Sequence, residues 1–472
     1  MQRTIGSNFE KIQKPAFTVL AVAFALLDQY PQRGYILASL IFCLALFPKI
    51  KIQLIGIFSV ASMFLLTPQF GKMSIWFGLS DSYENFLLQG LCGLLLFYLV
   101  WRLKQFRLRM ADRWVGPFIL AVFAVGILLL FTNLQNRTTA VGIALGLFFY
   151  FCRIIWVVIY DSLDHNQDHK SNISINILPY SLFSQSIFLL PIMSKTALYN
   201  GLSASEEEIS KTQTSGYLLF MQAALVLFAI NYLTNGCKIE IGTFHWQDKA
   251  ILQTEGWDLW SIFHDSKLLA SFDFWQAWKS LYMHFLVTFG WVWGNGNLVV
   301  GLYRIMGFSV LRNTQKVWAS VSTLDYFQRF AYYFRKTLQR FFFYPAFFYF
   351  KNWDVRLRII FAMFYSVLFG NLIFHAIIWI SYSGFLLGHP GRRFFSSIST
   401  YSVFCLILTT VLTLSYFRNH WRQKPKKRGF WGHILNLTII LHIYIFIQIF
   451  EADSAADLPT QFQFIKTLAG LR

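Results

Sequence analysis

The side chain best placed to do chemistry is His375. It lies deep in the apolar run IIFAMFYSVLFGNLIFHAIIW, residues 359–379. An ionisable group inside a membrane-length helix is costly and marks a functional site unless shown otherwise. Asn371 stands four residues before it and Trp379 four after, so a helix carries all three on one face. An amide one turn away can hydrogen-bond one imidazole nitrogen and fix the tautomer, leaving the other as a general base. A structural histidine bonded across helices fits the same spacing.

Just upstream, DYFQRFAYYFRKTLQRFFFYP (325–345) sets Arg329, Arg335, Lys336 and Arg340 among aromatic rings at near-helical intervals. Such cations either snorkel to the cytoplasmic interface or hold the anionic phosphate of a donor entering from that side. Other candidates are weaker. His284 lies near a Trp-rich boundary, and His442, with Asn436 and Gln448 on its helix, reads as interhelical packing. His165 and His169 in DSLDHNQDHKSN offer a metal set or, more simply, a solvated loop. The five cysteines are scattered without a CxxC pair and read as small helix residues, so no metal site is expected.

These groups need membrane helices to position them. The chain has 472 residues, 56% of them hydrophobic and 13% charged, against roughly 25% charged in a soluble domain. Repeated apolar runs predict an all-α polytopic protein of about 11–13 spanning or broken helices, not a β-barrel. The net charge of +19 is carried in short loops, as the positive-inside rule requires, which argues against nucleic acid. We read 1–472 as a single integral membrane domain with a retained first helix. Spans are expected at 15–27, 34–47, 52–66, 86–101, 115–132, 140–160, 216–233, 359–381, 397–417 and 431–450, with a broken element around Pro179 and Pro191. Residues 200–213 read as an acidic loop and 235–279, with Trp246, Trp257, Trp260 and Trp275, as interfacial helices. Gly290, Gly294 and Gly296 predict a kink or interruption in 281–302. The basic loop RNHWRQKPKKR (418–428) is cytoplasmic, so 359–381 runs outward and the tail 451–472 forms an amphipathic surface helix outside.

The ordered segments resemble the membrane-bound O-acyltransferase superfamily, in the branch of alginate O-acetylation and teichoic-acid D-alanylation membrane proteins. The resemblance covers 178–379, carried by FLLPI (188–192), GNLVVGLYRIMGFSVLRN (296–313), YFQRFAYYFRKTLQRFFFYP (326–345) and FGNLIFHAIIW (369–379). Three positions depart from it. The family's second histidine falls on Ala331, its Trp-His-Gly element is Phe374-His375-Ala376, and an upstream aspartate is Asn297. The resemblance implies a helical body with a transmembrane tunnel in a bacterial inner (cytoplasmic) membrane. It implies no bound cofactor, and a cytoplasmic thioester donor, acyl-CoA or an acyl carrier protein. The acceptor would be a hydroxyl of an envelope glycan, and a separate extracytoplasmic acyltransferase or carrier would be a partner. His375 would be the general base, Asn371 its orienting residue, and Arg329, Arg335, Lys336, Arg340, Asn297 and Trp379 would contact substrate. A transporter or flippase, or a non-catalytic subunit of the same family, are the competing readings.

Overall fold

In the computed structural model the described residues are 2–27, 31–47, 54, 206–235, 237–241, 244–248, 259–372, 390–421, 429–451 and 458–471. The fold is all-α and that of a polytopic membrane protein, with one small antiparallel hairpin. Four described helices are long and apolar enough to cross a membrane: Glu206–Thr234, Phe274–Ile305, Ser399–Arg418 and Phe430–Phe450. The spans expected at 52–66, 86–101, 115–132 and 140–160, the broken element at Pro179 and Pro191, and His165 and His169 all lie outside the described residues. Among the described residues no group of three or more His, Cys, Asp or Glu side chains is gathered in a way that could hold a metal ion.

The chain groups into two compact units. The first contains α1 (Gln2–Leu26), α2 (Pro31–Leu46), α3 (Glu206–Asn235), the hairpin, and residues 290–313 from the second half of α6 (Phe274–Ile305) onward. Two expectations fail here. The acidic stretch before residue 216 is helical from Glu206, because Glu206, Glu207 and Glu208 sit in the first turn of α3, where the helix dipole favours negative charge. Residues 237–248 form strands β1 (Cys237–Ile241) and β2 (Phe244–Asp248), paired with Ile239 opposite Trp246, in place of an interfacial helix. The alternation of Cys237, Ile239 and Ile241 with Lys238 and Glu240 is the period-2 signal of a strand.

The glycines of α6 do not interrupt it; the helix runs unbroken for 32 residues. They allow close helix approach instead. A Cβ on Gly301 would lie 2.8 Å from the Phe220 nitrogen, and one on Gly294 2.7 Å from Leu227 Cγ, while Gly290 faces Ile230. Gly216 of α3 returns the contact, facing the backbone at Ile305. Small residues at a membrane helix interface let backbones approach where hydrophobicity gives no drive. The end of α6 is a glycine-terminated cap. Gly307 has φ 91°, its N–H donates to Arg304 O at 2.8 Å, and Phe308 N–H reaches Tyr303 O at 3.0 Å. Arg304 then ties this end to α3 through Ser215 Oγ at 2.7 Å and to Val310 O at 2.8 Å. On the other side of α3, Tyr217 shares a 3.0 Å hydrogen bond with Thr18 of α1.

The second unit holds α4 (Leu259–His264), α5 (Ser266–Ser271), the first half of α6, the segment 314–372, α11 (Pro390–Trp421), α12 (Phe430–Glu451) and α13 (Leu458–Leu468). α13 is the amphipathic tail helix expected, but its apolar face is buried on protein: Phe464 meets Phe263 edge-on at 5.4 Å, and Trp278 Nε1 donates to Leu468 O at 3.1 Å.

Gly301→Val should destabilise the first unit by about 3 kcal/mol or more, because its obstacle is backbone. Gly429→Val, which has nothing within 4 Å of an added Cβ, should not. Thermal unfolding in detergent compares them; equal melting curves would refute the close approach of α3 and α6.

Candidate functional site

The segment 323–372 is a chain of short helices with two wide turns. α7 (Thr323–Phe330) starts at Ser322, whose hydroxyl accepts from Asp325 N–H at 3.1 Å. It ends at Ala331, whose φ −126° and ψ 71° are not helical. α8 (Tyr332–Leu338) follows directly and leads into a π turn, Gln339–Phe343. α9 (Tyr344–Tyr349) and α10 (Val355–Phe364) come next, then a second π turn, Tyr365–Gly370, immediately before Asn371. Single π turns inside helices recur at functional sites.

The two π turns pack on one another. Ser366 Oγ donates to Leu338 O at 3.3 Å. Gly370 lies flat against the Phe342 ring, so that a Cβ would sit 2.8 Å from Cδ2. Asn371 is 1% exposed. Its Oδ1 accepts from Tyr401 Oη at 3.4 Å and its Nδ2 points to Cys405 Sγ at 3.5 Å, both on α11. The amide is therefore held in one orientation by long, buried contacts. Its oxygen retains a second acceptor site. His375 and Trp379 lie outside the described residues.

The four cations do not share one helix, since the break at Ala331 and the first π turn separate them. Arg329 is tied to Asp325, Nε to Oδ1 2.8 Å, within α7. Arg335 and Lys336 both lie over the Tyr332 ring, at 5.2 and 5.8 Å from its centroid. Arg335 Nη1 reaches Gln339 Oε1 at 3.5 Å, and its buried Nε has no hydrogen-bond partner among the described residues. Burial pushes the Arg335 guanidinium below its ordinary value, partly offset by Tyr332 and Tyr344. Burial, and then the Arg335 charge, lowers Lys336. Among the described residues no carboxylate pairs with either, so an incoming anion is what would favour their charged forms. Arg340 is half-buried within the first π turn.

Asn297 belongs to the first unit. It is fully buried, and neither amide atom has a hydrogen-bond partner among the described residues. A buried amide so placed is set for a ligand or a further polar group. Of the weaker histidines, His442 bonds Tyr282 Oη at 2.6 Å, the interhelical contact expected, and His284 Nδ1 accepts from Leu259 N–H at 3.4 Å. The sequence reading missed Tyr401 and Ser366. Their only signal is a hydroxyl on a buried helix face, which has no local pattern.

No protein-family model matches the chain, and no characterised protein matches it with significance.

Gly370→Ala should cost about 1–3 kcal/mol by driving a methyl into Phe342, and Phe342→Leu in the same chain should recover part of that loss. Thermal unfolding of the two variants tests the packing of the π turns; strictly additive losses would refute it.

Proposed function

We propose that this protein is a membrane O-acyltransferase of the membrane-bound O-acyltransferase type, acting on an envelope glycan in a bacterial inner membrane. The observation that carries the reading is Asn371. Four residues before His375 in the sequence, it is fully buried, fixed by α11, and preceded by a π turn that sets its direction. An orienting amide needs that fixity. The order of the four segments that resemble the family supplies the reaction class.

In this mechanism the free imidazole nitrogen of His375 takes the proton of the acceptor hydroxyl. The oxygen attacks the thioester carbonyl, a new C–O ester bond forms and the C–S bond breaks. The departing thiolate takes the proton back from the imidazolium, so the base is restored. Arg335 and Lys336, stacked on Tyr332 without carboxylate partners among the described residues, bind the phosphate of a cytoplasmic donor, acyl-CoA or an acyl carrier protein. Arg329 is committed to Asp325 and has a structural part instead. A separate extracytoplasmic acyl-handling partner would act on the far side.

His375→Ala should abolish acylation of envelope material, measured by mass spectrometry of glycans from cells with and without the gene, at unchanged protein level. Retained acylation in that variant would overturn the catalytic role. Arg335→Gln with Lys336→Gln should raise KM for the donor about tenfold or more while kcat holds, as expected for lost ground-state binding. A fall in kcat alone would place those cations elsewhere in the mechanism.

A further inference from the structure

We infer that the turn joining α9 to α10 is a docking surface for anionic phospholipid, independently of acyl transfer. Lys351 and Arg356 hold headgroup phosphates, while Phe348, Tyr349 and Trp353 lie among the glycerol and upper acyl chains.

The tract AFFYFKNWDVRLR, residues 346–358, carries three cations and one carboxylate. Every residue from Lys351 to Leu357 is exposed. So are its large apolar side chains: Tyr349 is 73% and Phe348 64% exposed, and Trp353, Val355 and Leu357 are half-exposed. An apolar surface of this kind marks a contact with protein or membrane. The apolar run 359–379, of membrane length, begins within α10, so the turn stands at its head, where water gives way to lipid.

The turn is held from inside. The Phe350 ring meets Trp353 at 4.3 Å and Phe361 at 4.6 Å between centroids, and Trp353 N–H donates to Phe350 O at 2.9 Å. Asp354 caps α10, its Oδ1 accepting from Arg356 N–H at 2.8 Å. Arg358 is turned inward, onto the carbonyl and ring of Phe347. Lys351 and Arg356 are turned outward, and among the described residues neither side chain forms an ion pair.

Two outward cations among exposed rings match a charged bilayer surface on both counts. Tyr and Trp rings favour the headgroup layer, and each Lys or Arg there is drawn to the negative potential of anionic lipid. A soluble phosphate would use the cations and leave the rings in water. A neutral lipid would use the rings alone. An acidic protein could use both, but it would have to displace the bilayer from the head of a membrane-length run.

The test uses the full chain in phosphatidylcholine nanodiscs carrying a trace of diazirine-bearing phosphatidylglycerol or phosphatidylcholine, with label mapped by tandem mass spectrometry. On peptides from 341–358 phosphatidylglycerol should label about fivefold more than phosphatidylcholine at 0.15 M salt. At 1 M salt, where the Debye length falls from about 8 to about 3 Å, the two should approach parity. Lys351→Gln with Arg356→Gln should bring them to parity at 0.15 M as well. Tyr349→Ser with Trp353→Ser should lower label from both lipids and leave their ratio. Equal labelling of the unaltered protein, a preference that survives the loss of both cations, or label unchanged by the loss of both rings would each overturn the surface. So would displacement of the phosphatidylglycerol label by free coenzyme A, which would assign the cations to a soluble phosphate.

Discussion

A carbonyl released from its helix must find another donor if it is buried, and the segment 314–372 is built around that constraint. Where α7 stops at Ala331, the carbonyls of Arg329 and Phe330 are taken by Gln315 N–H at 2.8 Å and by Thr314 Oγ1 at 2.6 Å. At the entry to the first π turn Ser366 supplies the donor to Leu338 O. Between α9 and α10, Arg358 donates to Phe347 O at 3.0 Å with its guanidinium 4.0 Å above that residue's ring. The break at Ala331 and the entry to the first π turn are each matched by a donor from elsewhere in the unit. The irregular backbone is thus specified, not tolerated, and Asn371 sits at the end of it.

The same economy governs charge. Asp325 is the one carboxylate in 323–353, and its two oxygens are taken by Val321 N–H and by Arg329. That leaves Arg335 and Lys336 to the Tyr332 ring, whose quadrupole partly compensates a cation without neutralising it. Among the described residues Arg335 and Lys336 have no carboxylate partner, which distinguishes them from an ordinary salt-bridged surface.

The long apolar elements were legible from the sequence. The runs 216–233, 397–417 and 431–450 fall inside α3, α11 and α12, because twenty apolar residues in succession have few other solutions. What failed was anything decided by a distant partner. The α6 glycines look like breakers until Phe220 and Leu227 are placed against them. Ala331 has the highest intrinsic helix propensity, yet it ends a helix because Thr314 and Gln315 claim the carbonyls before it. The π turns have no compositional mark, so the four cations read as one helical stripe. Asn371 could be singled out by its spacing from His375, but its partners Tyr401 and Cys405 stand thirty or more residues later and obey no period.

The docking of α13 has a consequence for how the second unit comes into being. Its core joins Leu259, Ile262 and Phe263 to Phe464 and Leu468, residues at opposite ends of nearly half the chain. At roughly 5–20 residues per second of synthesis, α4 waits on the order of 10–40 s before the helix that covers it exists. During that interval Phe263 and Trp278 lack their final neighbours, while α6, α11 and α12 are already entering the bilayer. The docking of α13 is therefore a late step in time, and a ribosome that stalls within it leaves the apolar face of α4 bare.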